Sequence, residues 1–124
     1  MSLAETTLVL IGAPNDLMQA TVRQALSQGA RVVLGVPDGT ADEETAGCSE
    51  VHRLDLQEER ALQSFFEGVK SFDHAIVFQS LGIQGVQWEL DTPSARSDFD
   101  GIFWFPFMAA KRASPHLDER GSVT

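Results

Sequence analysis

Apolar residues along the chain alternate between two spacings, and that alternation predicts the fold. Leu8-Val9-Leu10-Ile11 is an apolar run too short for a helix and rich in β-formers, and Gly12-Ala13-Pro14-Asn15 breaks it. Met18, Val22, Ala25 and Leu26 then recur at helical spacing, which puts them on one face. Gly29 stands where a helix C-terminus favours a left-handed residue. Arg31-Val32-Val33-Leu34 is a second strand, and Gly35, Pro37 and Gly39 mark the loop beyond it. Thr7 to Asp38 therefore reads as a βαβ unit, whose parallel strands need a right-handed crossover.

The pattern continues in the same style. Gly39 to Gly47 is polar and acidic, a surface loop or short acidic helix. Glu50 to Leu54 alternates polar and apolar, as a third strand would. Asp55 and Glu58 have capping-box spacing for a helix from Gln57 to Val69, with Leu62, Phe65, Phe66 and Val69 on its apolar face. Ala75-Ile76-Val77-Phe78 is a fourth strand, ended by Gln79-Ser80-Leu81-Gly82. After an irregular stretch, the Thr92 hydroxyl and Pro93 suit the start of a helical turn. A further helix is expected from about Ser97 to His116, with Pro106 inside it costing a hydrogen bond or kinking it. Arg120-Gly121 reads as a turn, and Ser122-Val123-Thr124 as the opening of a fifth strand. The first seven residues read as an unordered or tag-like lead. The expected fold class is α/β: a three-layer, Rossmann-like, doubly wound parallel sheet of about four or five strands, a single domain over residues 1–124, incomplete on its C-terminal side.

Composition narrows the partners. A net charge of −9 argues against a nucleic-acid backbone or an anionic membrane surface. The N-terminus has neither the positive end nor the apolar core of a signal peptide, so a cytoplasmic location is the expectation. The longest apolar run, Ile102 to Ala110, is about half a membrane span. Cys48 is the only cysteine, with no basic neighbour to activate it, and no Cys/His spacing suggests a metal. His52, His74 and His116 fall in different elements without an acid or serine at motif spacing.

The whole chain resembles the N-terminal half of a short-chain dehydrogenase/reductase. Three stretches carry the resemblance. Gly12-Ala13 follows the first strand, with Gly29-Ala30-Arg31-Val32-Val33 entering the second. Leu54-Asp55-Leu56 follows the third strand and is similar to the family's pair whose aspartate approaches adenine. Ala113-Ser114-Pro115-His116-Leu117 with Glu119-Arg120-Gly121-Ser122-Val123 is similar to the family's helix end and fifth strand. The resemblance implies an NAD(P)-linked oxidoreductase. It would take NAD or NADP at Gly12, Pro14, Asn15, Asp16, Leu17, Val36, Asp55, Leu56, Gln79, Ser80 and Leu81.

Departures from the family pattern are as informative. The phosphate loop keeps only the glycine at Gly12; Asp16 and Met18 stand where the second and third glycines belong. Asp16 suits a helix N-terminus but puts a carboxylate where a phosphate should sit. At about 5 Å and an effective dielectric near 20, the two charges repel by about 3 kcal/mol, around two decades in affinity. Pro14 removes a backbone N–H from the same turn. Val36 occupies the position that selects the cofactor, with Asp38 two residues late, and Ile102 replaces the family's helix asparagine. The family's proton donor is a tyrosine with a lysine four residues on, helped by a serine. This chain has no tyrosine, so no catalytic residue is assigned and the chain alone is expected to be inactive. The competing reading is a non-catalytic α/β module that forms a homo-oligomer, a dimer, through the Phe99–Met108 helix and binds dinucleotide weakly or not at all. That helix is apolar on nearly every side, through Phe99, Ile102, Phe103, Trp104, Phe105, Phe107 and Met108. Receiver, flavodoxin and P-loop folds fit less well, lacking their acid cluster, hydroxyl-rich loop and Gly-Lys-Ser/Thr respectively.

Overall fold

The computed structural model describes residues 3–78 and 91–124. Five strands form one sheet: β1 (Thr7–Gly12), β2 (Arg31–Val36), β3 (Glu50–Arg53), β4 (Phe72–Phe78) and β5 (Leu117–Val123). Their order is β3-β2-β1-β4-β5, and every neighbouring pair is parallel. The chain steps outward from β1 to β3, then returns to the other side of β1 to lay down β4. The winding therefore reverses between β1 and β4, which opens a crevice at the carboxyl ends of those strands.

Both faces of the central strands are covered, which is why they read as continuous apolar runs. Leu8 and Leu10 of β1 point to one face, where Met18, Val22 and Ala25 of α1 (Asp16–Ser27) meet Val32 and Leu34. Val9 and Ile11 point to the other, where Leu62 and Phe66 of α2 (Glu59–Val69) and Ala109 of a later helix, α4 (Phe105–Ala113), close the second core. The three-layer, doubly wound arrangement expected from the hydrophobic pattern is the one observed. Gly29, with φ +86°, ends α1 in the left-handed conformation. The acidic stretch between β2 and β3 is a short 3-10 turn, Asp42–Thr45.

Several local expectations are corrected. From Leu3 onward the N-terminal lead is tied down: the Leu3 N–H donates to the Gln28 carbonyl (3.0 Å), and its side chain packs on the α1 core. No capping box starts α2. Asp55 Oδ1 instead accepts from the Gln57 N–H (2.9 Å), closing a turn before the helix begins at Glu59. The third strand stops at Arg53, and β4 begins at Phe72, where the buried Phe72 ring lies 5.9 Å from that of Phe66. Helix α3 (Thr92–Phe99) is capped by Asp91 rather than Thr92; Asp91 Oδ1 accepts from the Ser94 N–H (2.8 Å), which holds its carboxyl below the ordinary range.

The expected helix from Ser97 to His116 is four pieces, the first of them the end of α3. A π-helical turn, Asp100–Trp104, joins α3 to α4, and a 3-10 turn, Ser114–His116, follows α4. Pro106 has no N–H for Ile102, and its ring crowds that carbonyl. The chain widens just before it, so that the Phe105 N–H reaches the Asp100 carbonyl five residues back. Strand β5 starts at Leu117, five residues before the expected start, and Arg120-Gly121 lies inside it. The register slips between the Phe72–Leu117 and His74–Ser122 pairs. Gly121 permits that slip: a Cβ there would stand 1.9 Å from the Asp73 carbonyl oxygen.

Candidate functional site

A cavity of about 330 Å³ opens at the carboxyl ends of the strands, beside the β1–β4 reversal. Each wall follows from a strand end. Ala13 comes from the β1–α1 turn, and Phe78 is the last residue of β4. Pro37 and Asp38 follow β2; the Thr40 N–H donates to the Pro37 carbonyl (3.1 Å), closing a turn that carries Asp38 at its second position. Leu54, Asp55, Leu56 and Gln57 follow β3. Gly101 and Phe105, brought round by the π turn, close the far side. The lining thus combines apolar walls with the exposed carboxylates of Asp38 and Asp55, and among the described residues it holds no lysine, arginine or histidine.

The turn leading into α1 caps one of the helix's first N–H groups itself. Asn15 is the N-cap, and its Oδ1 accepts the Met18 N–H at 2.8 Å. Asp16 is the first residue of the helix and is exposed, which suits the positive end of the dipole. Gly12 has φ +146°, and a Cβ on it would lie 2.2 Å from the Phe78 carbonyl oxygen. The glycine therefore sets how closely β1 approaches β4.

The residues expected at a cofactor site separate into groups. Asp55 and Leu56 line the cavity. Gly12, Pro14, Asn15, Asp16 and Leu17 form the turn and helix start next to Ala13 but are not among the lining residues, and Leu17 is 66% exposed. Val36 is fully buried on the α1 face, where strand alternation turns it inward, and Asp38, two residues on, lines the cavity. Gln79, Ser80 and Leu81 lie outside the described residues. Asp38, Gly101 and Phe105 were missed as lining residues. For Asp38 the signal was present in the Pro-Asp-Gly turn; for the other two it depended on the π turn.

Several ionisable groups elsewhere have structural partners. Glu59 of α2 pairs with Arg112 and, at 3.5 Å, with Lys111 of α4; the Arg112 hydrogen bond holds its carboxyl below the usual range. Cys48 is half-buried, and burial pushes its thiol up, away from nucleophilic use. His52 meets Glu50 and the Phe65 ring, and His74 Nδ1 lies 2.9 Å from Ser122 Oγ. Among the described residues, no three His, Cys, Asp or Glu side chains gather around a point that would hold a metal. No helix among them is long and apolar enough to cross a membrane.

The architecture has close counterparts among solved structures. The chain superposes on a short-chain dehydrogenase/reductase from Serratia marcescens with a TM-score of 0.84 at 18% identity, covering 99% of this chain and 55% of that one. BdcA in complex with NADPH gives a TM-score of 0.84 at 20% identity, over 97% of this chain and 50% of that one. A dehydrogenase/reductase from Sinorhizobium meliloti gives 0.80 at 21% identity, over 98% and 53%. This chain has the fold of the N-terminal half of a short-chain dehydrogenase/reductase. It spans about half the length of the short-chain dehydrogenase structures it matches. No family model and no curated protein matches the sequence.

Proposed function

We propose that the chain is the cofactor-binding half of an NAD(P)-linked oxidoreductase of the short-chain dehydrogenase type, and that its cavity takes the adenosine end of the dinucleotide. The observation that carries this reading is the cavity's position and lining. It sits at the carboxyl ends of parallel strands beside the reversal of winding, where open α/β sheets bind nucleotides, with carboxylates on an apolar slot. In this pose Leu54, Leu56 and Phe105 flank the base, and Asp38 and Asp55 accept hydrogen bonds from ribose hydroxyls or the adenine amino group. When bound, the cofactor supplies the hydride chemistry. These residues only hold and orient its adenosine end, and the chain has no tyrosine to act as proton donor. Among the described residues the lining holds carboxylates and no cation to meet a ribose 2′-phosphate, so the reading favours NAD over NADP. The test is a titration with NADH and NADPH followed by cofactor fluorescence. NADH is expected to saturate below millimolar concentration, with NADPH weaker; binding of neither up to millimolar overturns the reading.

A second reading is favoured by one observation. Phe99, Phe103, Trp104 and Phe107 are each about half exposed, and the rings of Phe99, Phe103 and Phe107 stack in a row along α3, the π turn and α4. An apolar ridge of that kind suits association with a second copy of the chain. Trp104→Glu is then expected to convert dimers to monomers in sedimentation velocity; dimers unchanged by the substitution remove the idea.

A further inference from the structure

The turn that carries Asp38 is tied down from outside the cavity. We propose that Arg53 is a positioning residue for the bound dinucleotide: it clamps the turn after β2 to the end of β3 and so sets where Asp38 stands. The inference rests on the cavity being the adenosine site argued above.

The tip of that turn has little to hold it. A Cβ on Gly39 would meet nothing within 4 Å, so packing does not fix the tip. The turn closes on itself, with the Thr40 N–H and Oγ1 both donating to the Pro37 carbonyl, at 3.1 and 2.8 Å. Those bonds set its shape but not its place over the sheet. Arg53 supplies the place. It is the last residue of β3 and stands opposite Val36, the last residue of β2, in the parallel ladder. From there its Nε donates to the Thr40 carbonyl (3.2 Å) and its Nη2 to Asp42 Oδ1 (2.7 Å), so one planar guanidinium grips the turn at two points. The next residue is Leu54, where the part of the lining that follows β3 begins. One side chain thus fixes the spacing between Pro37-Asp38 and the stretch from Leu54 to Gln57. Asp42 is almost fully exposed, so its ion pair adds little to the stability of the fold. Its effect is on geometry, because a hydrogen bond from a ribose hydroxyl to Asp38 fails once the oxygens drift much beyond 3 Å.

Position and charge predict opposite signs at Asp42. Its removal takes a carboxylate from the neighbourhood of an anionic cofactor, which by Coulomb's law alone would tighten binding. A loosened turn weakens it.

The experiment titrates NADH, by cofactor fluorescence, into the 124-residue chain and its Arg53→Ala, Arg53→Lys and Asp42→Ala variants, and repeats Arg53→Ala in an Asp38→Ala background. Amide hydrogen exchange at Thr40 reports the turn itself, and thermal midpoints check folding. Arg53→Ala is expected to weaken NADH by about fivefold and to speed exchange at Thr40. Arg53→Lys, which keeps the charge and loses the two-point grip, should fall short of the parent, and Asp42→Ala should bind more weakly. Without Asp38, Arg53→Ala should change affinity by less than about twofold, because the two act as a unit. NADH affinity unchanged in Arg53→Ala, full rescue by lysine, tighter binding by Asp42→Ala, or an undiminished loss in the Asp38→Ala background overturns this inference and leaves the cofactor reading standing. Absence of NADH binding by the parent up to millimolar overturns both.

Discussion

Gly12→Ala separates two explanations of the one phosphate-loop glycine that this chain keeps. If Gly12 only admits a ligand, a methyl group there should leave stability intact. The structure says otherwise, because the glycine faces β4 rather than open space. A Cβ on Gly12 would stand 2.2 Å from the Phe78 carbonyl oxygen and 2.9 Å from Phe78 Cβ, so β1 and β4 must part by close to an ångström at that pair. Holding an L-residue at φ +146° adds about 1–3 kcal/mol of backbone strain, and overpacking adds about 1–3 kcal/mol more. Together that is about 4 kcal/mol, a large share of the roughly 5–15 kcal/mol that stabilises a domain, and about 15 °C in melting temperature. Urea unfolding followed by far-ultraviolet circular dichroism measures it. Gly39→Ala is the control, since Gly39 meets nothing within 4 Å and should stay within about 0.5 kcal/mol of the parent. A Gly12→Ala protein less than about 1 kcal/mol below the parent would refute the described approach of β1 to β4.

Two further predictions concern the ionisable groups. The folded-state carboxyl of Glu59 lies below its ordinary range, so its contribution is present above the unfolded value and is lost as pH falls through the folded one. Glu59→Gln should therefore lower the urea midpoint near neutral pH, with the difference from the parent shrinking as the solution is acidified below the ordinary carboxylate range; a difference constant with pH would contradict the Arg112 pairing. Burial raises the Cys48 thiol, so alkylation by iodoacetamide at mildly alkaline pH should be slow in the folded protein and rapid in urea. Equal rates would mean that the thiol is open.

The layers were legible because burial on both faces writes itself as unbroken apolar runs, as in Leu8 to Ile11 and Val32 to Leu34, and burial on one face as the Leu62-Phe65-Phe66-Val69 stripe. The site was legible only in part. Asp55 and Leu56 follow directly from the end of a strand. Asp38 follows less directly: the Pro37-Asp38-Gly39 sequence signals a turn, but its place on the cavity wall depends on how that turn closes, with the Thr40 N–H on the Pro37 carbonyl. Gly101 and Phe105 were hidden by the π turn, which inserts a residue and rotates everything after it away from the face a regular helix would show. The start of β5 was masked by Asp118-Glu119-Arg120, charged residues that suit an exposed edge and read as a turn. Asp91 and Thr92 are both good caps, and adjacency alone could not choose between them.

The most direct test of the central claim is an amide chemical-shift map of the chain titrated with NADH. Perturbations are expected to gather on Ala13, Asp38, Leu54 to Gln57 and Gly101, around the cavity at the strand ends. Shifts absent there, or confined to Phe99, Phe103, Trp104 and Phe107, would contradict the cofactor reading and leave the aromatic ridge as the working surface of this fold.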